Sequence, residues 1–280
     1  LNSINESYAV RYIMTTTTGL HVLMLYVAVK QAGLGIAGIG VPMIITYALN
    51  MTLVMIYAAY FSARKVSNWP KLSLKELLDG QAVREYLKIG IPSIVVVCAQ
   101  QWASSILQMM ATQISVTAVS CMAILSSFFA MVMQLPFAFN LSGASVIGNA
   151  LGEQNVLLAK LLCFLSIIQA SAIQLVIGVL VHAFSWEIAQ AYSQDATQCK
   201  TLSTAFHTLS YLIAISGIAN ALKGTMKALL QQKALSAILI FCLYFISLPM
   251  ASYLAFDLER GLPGLWEGMT TGYAVSIVLF

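Results

Sequence analysis

Long apolar runs separated by short polar segments dominate the chain. Eight of these runs approach or exceed the length of about 20 residues that a membrane-spanning helix needs. Several runs also carry hydroxyl or amide side chains at helical spacing. The pattern predicts an all-α polytopic membrane protein with about eight transmembrane helices. The predicted spans are residues 9–29, 37–62, 88–111, 115–140, 156–184, 201–222, 234–256 and 264–280.

The longest polar segment, residues 63–87, separates the second span from the third. Within it, Leu74, Leu77, Leu78 and Val83 can form one apolar stripe on a helix. The stripe predicts either a short helix lying at the membrane surface or a plain linker.

Lysine and arginine collect at alternate ends of the spans. Eleven of them fall on one side: Arg11, Arg64, Lys65, Lys71, Lys75, Arg84, Lys88, Lys160, Lys223, Lys227 and Lys233. Only Lys30, Lys200 and Arg260 fall on the other side. Because cytoplasmic loops are enriched in these residues, residues 63–87 and 148–155 are predicted to lie in the cytoplasm.

Composition agrees with a membrane protein and excludes several other classes. Only 9% of the residues are charged and 60% are apolar, whereas about a quarter are charged in a soluble domain. No basic patch with interleaved aromatic residues is present, so nucleic acid is not an expected partner. The sequence shows no nucleophile–base pair, metal-ligand spacing or phosphate loop, so we expect neither an enzyme nor a metal or other cofactor.

A short repeat links the beginning and the end of the chain. Residues 35–39 read GIAGI and residues 261–265 read GLPGL, 226 residues apart, each at the beginning of a predicted span. Many transporters consist of two such halves. The repeat predicts that spans three to eight form one complete half and that spans one and two end the other. Four further helices are then expected upstream, and the chain is expected to be a fragment.

A Gly-rich polar segment, GNALGEQN, follows the fourth span. Gly148 and Gly152 allow a helix to end and the chain to turn, and Asn149 suits a turn or a cap. We interpret these three residues as a hinge in a cytoplasmic connection between two helices.

The motifs around this hinge occur in a particular order. They are IGIPSIVVVC (89–98), Trp102, Pro136, GASVIGNALGEQNVLLAK (143–160), LKGTMKALLQQK (222–233) and LPGLWEGMTTG (262–272). With these motifs the chain resembles the multidrug and toxic compound extrusion (MATE) family, and its eukaryotic branch more than its bacterial ones.

The resemblance implies twelve helices in two six-helix lobes around a central cleft. Residues 1–62 would be the last two helices of the N-terminal lobe, residues 63–87 the cytoplasmic linker and residues 88–280 the C-terminal lobe. The resemblance also implies export of organic cations, drugs or metabolites by proton or sodium antiport. The expected partners are an organic substrate, the coupling ion, the bilayer and the missing N-terminal helices. The expected location is the plasma membrane or a vacuolar or other endomembrane.

At three positions the chain lacks an acid of the eukaryotic pattern. The eukaryotic branch carries the motif C-x-E-W-W-x-x-E, and this chain has Gln100 and Ser105 where the motif has its two acids. Ser216 occupies a position where plant members often carry another acid. Since glutamine and serine do not titrate, the proton route attributed to these acids is not expected here.

Polar side chains on predicted helix faces suggest where a cleft would lie. Gln101, Ser105 and Gln108 share one face, and such stripes either line a cavity or hold helices together. The ring of Trp102 could attract an organic cation. The predicted wall of the second lobe consists of Gln100, Gln101, Trp102, Ser105, Gln108, Ser127, Ser216 and Asn220.

His207 is the candidate for ion coupling, because histidine titrates near physiological pH. The alternative is a neutral histidine that is hydrogen-bonded to a neighbouring helix. We expect His182 to lie near an outer end, at the interface. Pro136 and Pro249 lie deep inside spans and are predicted to kink them, whereas Pro92 is expected near a helix start.

Three alternatives remain open at this point. One is a lipid-linked sugar flippase of the wider superfamily, although such proteins usually line their cavity with lysine and arginine, which the predicted spans lack. The others are an uncoupled facilitator and a membrane scaffold that transports nothing.

Overall fold

The computed structural model describes residues 7–59 and 80–280, which form two compact units. The apolar stripe predicted at Leu74, Leu77 and Leu78 lies outside the described residues, as does most of the predicted linker. The first unit is a helical hairpin of α1 (Ser7–Tyr26), a π-helical turn (Val27–Gln31) and α2 (Ala37–Tyr57). Thr17 Oγ1 donates to Asn50 Oδ1 at 2.7 Å and joins the two helices.

The second unit is a bundle built around one long helix. Its helices are α3 (Gly80–Ile114), α4 (Val116–Val132), α5 (Gln134–Gly152), α6 (Val156–Ala183), α7 (Ser185–Tyr192), α8 (Ala196–Ala228) and α9 (Gln232–Ile240). A π-helical segment (Phe241–Ser247), α10 (Leu248–Ser252) and a second π-helical segment (Tyr253–Asp257) continue α9, and α11 (Gly261–Leu279) follows. Helix α8 packs against α4, α5, α6, α7 and α11. The core of the bundle therefore lies along α8, where Phe206, Leu209 and Ile213 are fully buried.

Seven helical stretches of the described residues are long and apolar enough to cross a membrane. They correspond to the first seven predicted spans, with α4 and α5 forming one stretch. Helix α11 covers the eighth predicted span and is not among the seven, since its glycines and threonines make it less apolar. Its Gly264, Gly268 and Gly272 instead lie against the backbone or side chains of residues 242–255. The all-α architecture predicted from the sequence is confirmed.

Two helix boundaries differ from the prediction. Helix α3 begins by Gly80, so Pro92 lies in its interior rather than near its start. Helix α8 begins at Ala196 and ends at Ala228, which places Lys223 and Lys227 inside the helix. In both cases the helix continues past the apolar run into polar sequence, which an apolar-length rule does not detect.

The predicted kink at Pro136 is present as a break between α4 and α5 at Met133. Proline has no N–H, so the carbonyl of Val132 loses its helical donor. Gln174 Nε2 of α6 donates to this carbonyl at 3.4 Å. At Pro249, the second predicted kink, the helix is π-helical over the residues just before the proline.

The connection after GNALG is shorter than the predicted hinge. Gly148, Asn149 and Gly152 lie within helix α5, and only three residues separate α5 from α6. The residue with the left-handed conformation is Gln154, at φ 59°. Asn155 then caps α6 by accepting a hydrogen bond from the N–H of Leu158 at 3.0 Å. The two glycines are therefore not where the chain turns.

The sequence repeat recurs in the backbone at the same offset of 226 residues. The π-helical segments Val27–Gln31 and Tyr253–Asp257 correspond to each other. Gly35 (φ 54°) and Gly261 (φ 59°) follow them and have the same left-handed conformation. Hydrogen bonds also match: Leu34 N donates to Ala28 O and Arg260 N donates to Leu254 O, each at 3.2 Å. Each unit therefore contains the same helix–turn–helix element.

Candidate functional site

Two cavities inside the second unit share one side chain, Gln100. The first has a volume of about 300 Å³ and lies between α3, α5, α8 and α9. We call it the lysine cavity, and its polar lining is Ser93, Gln100, Asn140, Asn220, Lys223, Lys227 and Gln232. The second, of about 260 Å³, is lined by Ser104, Ser126, Trp266 and Tyr273 among others, and we call it the tryptophan cavity.

Lys223 stands where the two cavities approach each other. It is only 5% exposed, and its Nζ lies 4.9 Å from the centroid of the Tyr273 ring, which lines the tryptophan cavity. An ammonium group over an aromatic face is stabilised by the ring quadrupole. The positive charge of Lys223 is therefore held inside the helix bundle rather than at its surface.

Lys227 lies one helical turn further on and lines the same cavity. Its Nζ donates to Asn140 Oδ1 of α5 at 2.8 Å. Helix α5 can approach α8 this closely because Gly224 has no side chain: a Cβ there would lie 2.7 Å from the Asn140 carbonyl oxygen. The close contact of α5 and α8 thus positions the amide partner of Lys227.

The cavity walls carry no carboxylate within the described part of the chain. The acceptors around the two ammonium groups are neutral amides and hydroxyls. Asn220 donates its own Nδ2 to the carbonyl of Ser216 at 2.9 Å, which fixes the amide on the cavity wall. The result is a small cavity that carries a positive charge and has both polar and apolar side chains on its walls.

Of the eight predicted wall residues, Gln100 and Asn220 meet in the lysine cavity. Gln101, Ser105 and Gln108 are exposed on another face of α3, outside both cavities. Whether they face a cleft between lobes remains a prediction.

The other predicted wall residues lie elsewhere. Trp102 is 64% exposed and borders an apolar groove together with Tyr244 and Phe245. Ser127 is exposed and donates to the carbonyl of Ala123 at 2.8 Å. Ser216 is fully buried, donates to the carbonyl of Ile213 at 2.6 Å and lines neither cavity.

Sequence reasoning missed both lysines and Tyr273. The predicted sixth span ended at residue 222, so the lysines were assigned to the cytoplasm. A signal was nevertheless available, because Asn220, Lys223 and Lys227 follow each other at spacings of three and four and therefore share one helix face. The statement that the spans lack lysine is wrong for these two residues.

His207 lies in a hydrogen-bonded cluster near the other end of α8. Its Nε2 lies 3.0 Å from Ser185 Oγ, and its Nδ1 lies 3.4 Å from Nδ1 of His182. Ser210 Oγ donates to the carbonyl of His207 at 2.6 Å, so His182 Nδ1, at 3.1 Å from the same hydroxyl, must be the donor. His207 Nδ1 is then the acceptor, and its Nε2–H donates to Ser185.

This histidine cluster and the lysine cavity are far apart. Sixteen residues along α8 separate His207 from Lys223, a rise of about 24 Å. Throughout the segments that the structure describes, no three histidine, cysteine or acidic side chains are close enough to hold a metal ion. A proton on His207 therefore has no direct contact with a molecule in the lysine cavity.

Comparison with known proteins identifies the family. The sequence model of the MatE family matches residues 92–253, which is more than half of the chain. The chain belongs to the MatE family. The matched range begins within α3, ends at the first residue of the second π-helical segment and contains every residue that lines the lysine cavity. As a MatE protein it is a multi-pass integral membrane protein of a transporter family.

Curated relatives match from about two thirds to nearly all of the chain. Protein DETOXIFICATION 16 of Arabidopsis thaliana is 26% identical over 279 residues, covering 99% of this chain and 57% of that protein. Multidrug and toxin extrusion protein 2 of Mus musculus is 24% identical over 184 residues, covering 66% of this chain and 32% of that protein. The chain thus spans about half the length of the curated relatives that it matches.

Solved structures agree on the fold. The eukaryotic MATE transporter AtDTX14 matches 95% of this chain and 59% of its own chain, with a TM-score of 0.84 and 21% identity. The Vibrio cholerae MATE transporter VcmN in the bent form matches the same shares with a TM-score of 0.77 and 18% identity. The arrangement of helices is therefore that of a MatE transporter.

Proposed function

We propose that the chain is part of a secondary active transporter that exports a small organic molecule by alternating access between two lobes. The observation that carries this proposal is the lysine cavity, a charged cavity between membrane-length helices of a MatE protein. A buried charge among such helices is costly and is normally kept for handling a charged solute. The names of the relatives, detoxification and multidrug and toxin extrusion proteins, support export as the direction.

The two units fit the corresponding ends of two lobes. The helix–turn–helix element that repeats at 226 residues supports assigning residues 1–62 to the end of a first lobe. Residues 88–280 then form the second lobe, and residues 63–87 the connection between them. In this proposal the missing helices of the first lobe complete the cleft.

Coupling to a proton is the second part of the proposal, with sodium as the alternative ion. The histidine cluster supports it, since a proton arriving at His182 Nε2 would replace an uncharged pair by a charged one. The titratable groups next to His207 are His182 of α6 and, on α8, Tyr211, whose ring lies 5.5 Å from that of His182. Hydroxyls of Ser185 and Ser210 complete the cluster. Because the cluster joins α6, α7 and α8, protonation would act on helix packing rather than on the solute directly.

Two of the alternatives fit less well. A volume of about 300 Å³ is at the lower end for small-molecule sites, so the lysine cavity does not favour the headgroup of a lipid-linked sugar, although its lysines would suit one. A scaffold that transports nothing has no need for a buried charged cavity. An uncoupled facilitator differs from an antiporter only in its energy source, which transport measurements decide.

The test is transport by the full-length protein in proteoliposomes. Tetraethylammonium, citrate, malate and benzoate would be offered under a proton gradient, a sodium gradient and no gradient. We expect accumulation of at least one probe against its own gradient, driven by protons, and loss of this dependence in His207→Gln and His182→Gln. Glutamine keeps one donor and one acceptor but does not titrate.

A surface change, Lys233→Gln, is the control and should leave the gradient dependence unchanged. Movement only down the probe's own gradient would replace the antiporter by a facilitator. Movement of none of the probes would contradict the transporter proposal. A proton dependence that persists in both histidine variants would remove the histidine cluster from it.

A further inference from the structure

The lysine cavity has a charge opposite to that expected for a site that takes organic cations. Lys223 and Lys227 lie four residues apart on one face of α8, and both side chains line the cavity. Two ammonium groups at this spacing repel each other. A cation entering the cavity would meet the same repulsion.

The neighbours of Lys223 do not neutralise it. Lys223 makes no hydrogen bond or ion pair within residues 7–59 and 80–280, and its contact is the aromatic face of Tyr273. Lys227 has a neutral partner, the amide oxygen of Asn140. An ion pair is present between Arg260 and Glu267, at 2.6 Å, and it involves neither lysine. An ammonium ion that is only 5% exposed and has no acceptor is costly unless a negative group pairs with it.

Phe137 lines this cavity, but neither Tyr273 nor Trp102 is available there for a cation. The face of Tyr273 is covered by Lys223 itself. Trp102, to which the sequence assigned such a role, borders a separate apolar groove. The cation–π contact found beside this cavity is made by a lysine of the protein, over the ring of Tyr273.

Neutral hydrogen-bonding groups lie on the walls around the charge, among apolar side chains. The amides of Gln100, Asn220 and Gln232 line the same walls. A carboxylate accepts several hydrogen bonds at once, so charged and neutral donors together can satisfy both of its oxygens. A cavity of about 300 Å³ is of a size for a small organic acid.

We propose that the lysine cavity binds a small organic anion through its carboxylate, with Lys223 as the ion-pair partner and Lys227 and Gln100 as additional contacts. This inference rests on the proposed transport function, since it names the substrate class of the same site. It replaces the organic cation expected from the resemblance. The proposal also explains why position 100 is a glutamine, since a glutamate there would pair with the lysines and compete with the substrate.

The test is equilibrium binding to the full-length protein in nanodiscs at fixed ionic strength. The probes are radiolabelled citrate, malate and benzoate, with tetraethylammonium as the cationic comparison. We expect at least one carboxylate to bind and its affinity to fall about tenfold or more in Lys223→Gln, because the bond lost is charge-assisted. Lys223→Arg keeps the charge and should retain most of the affinity. Lys233→Gln, an exposed lysine just beyond the same helix, should have no effect.

A second pair of variants keeps the lysine in place. Gln100→Glu puts a carboxylate into the cavity and should also lower the carboxylate affinity about tenfold or more, since the ammonium groups are then paired. Gln113→Glu puts the same charge on an exposed position of α3 outside both cavities and should change the affinity little. These two variants test the anion site even if Lys223→Gln does not fold.

Several results would overturn the inference: binding of tetraethylammonium but of no carboxylate, binding of none of the probes, or carboxylate affinity that is the same in Lys223→Gln and Gln100→Glu as in the unchanged protein. Transport separates this inference from the proposed function. Movement of tetraethylammonium without carboxylate binding would support the transporter proposal and contradict the anion site. Lysine-dependent carboxylate binding without movement of any probe would support the anion site and contradict the transporter proposal.

Discussion

Neighbouring residues on one helix can differ completely in environment, and Gln100 and Gln101 show this most clearly. Gln100 lines both cavities, whereas Gln101 is exposed on another face of α3. A helix turns by about 100° per residue, so adjacent side chains point in different directions. The sequence identified both as polar positions inside a span. It did not tell them apart, because that depends on which neighbouring helices pack on each face.

Gln174 is a residue whose role depends on a distant proline. Its amide donates to the Val132 carbonyl that Pro136 deprives of a helical partner. We expect Gln174→Leu to cost more stability in the natural chain than in Pro136→Ala, where the alanine N–H can pair with this carbonyl. The difference should be about 0.5–1.5 kcal/mol, the net value of one hydrogen bond.

Thermal unfolding of the four variants of this cycle measures the coupling. Gln169→Leu, an exposed change on the same helix, should behave alike in both backgrounds. Equal effects of Gln174→Leu in both backgrounds would show that the hydrogen bond from Gln174 to the Val132 carbonyl does not contribute to stability.

At the scale of elements, the existence and type of the helices followed from the sequence. A long apolar run forms a helix in the membrane, because lipid offers no hydrogen-bond partners to the backbone N–H and C=O groups. Boundaries were less accurate, since α3 and α8 extend through polar residues that packing, not apolarity, keeps helical. This error had a consequence for the site, because it placed Lys223 and Lys227 outside the helix that carries them.

The repeated helix–turn–helix gives a prediction at the same scale. A methyl group added at Gly35 would meet nothing within 4 Å, and one added at Gly261 would meet only Ile114 Cγ2, at 3.8 Å. Space therefore permits alanine at both positions, and only the positive φ opposes it. We expect Gly35→Ala and Gly261→Ala each to lower the free energy of unfolding by about 1–2 kcal/mol, because a left-handed conformation is costly for alanine.

The control for these two variants is Gly148→Ala. Gly148 lies inside α5, and a methyl group there meets nothing within 4 Å. Alanine should therefore raise the free energy of unfolding by about 0.5–1 kcal/mol, the usual gain inside a helix. Thermal unfolding of the three variants measures all of these effects. A loss of stability in Gly148→Ala but not in the other two would contradict the assignment of the turn glycines.

At the scale of the whole molecule, family and architecture could be inferred from the sequence, and the charge of the cavity could not. The motifs from residue 89 to residue 272 and the repeat led to the MatE fold, because they occur in order along the chain. The cavity lies where α3, α5, α8 and α9 pack together, and no local sequence pattern predicts which helices pack together. His207 was recognised from its chemistry, yet its partner His182 became evident only when α6 and α8 were seen side by side.

The central claim is that the solute passes through the cavities inside this lobe. The most direct measurement is the initial rate of transport in proteoliposomes, using the fastest of the four probes, for Gln100→Phe and Gln101→Phe. We expect Gln100→Phe, which fills the space shared by both cavities, to lower the rate about tenfold or more, while Gln101→Phe changes it less than about twofold. Equal rates in the two variants would contradict the claim, and a larger loss in Gln101→Phe would also place the path on the other face of α3.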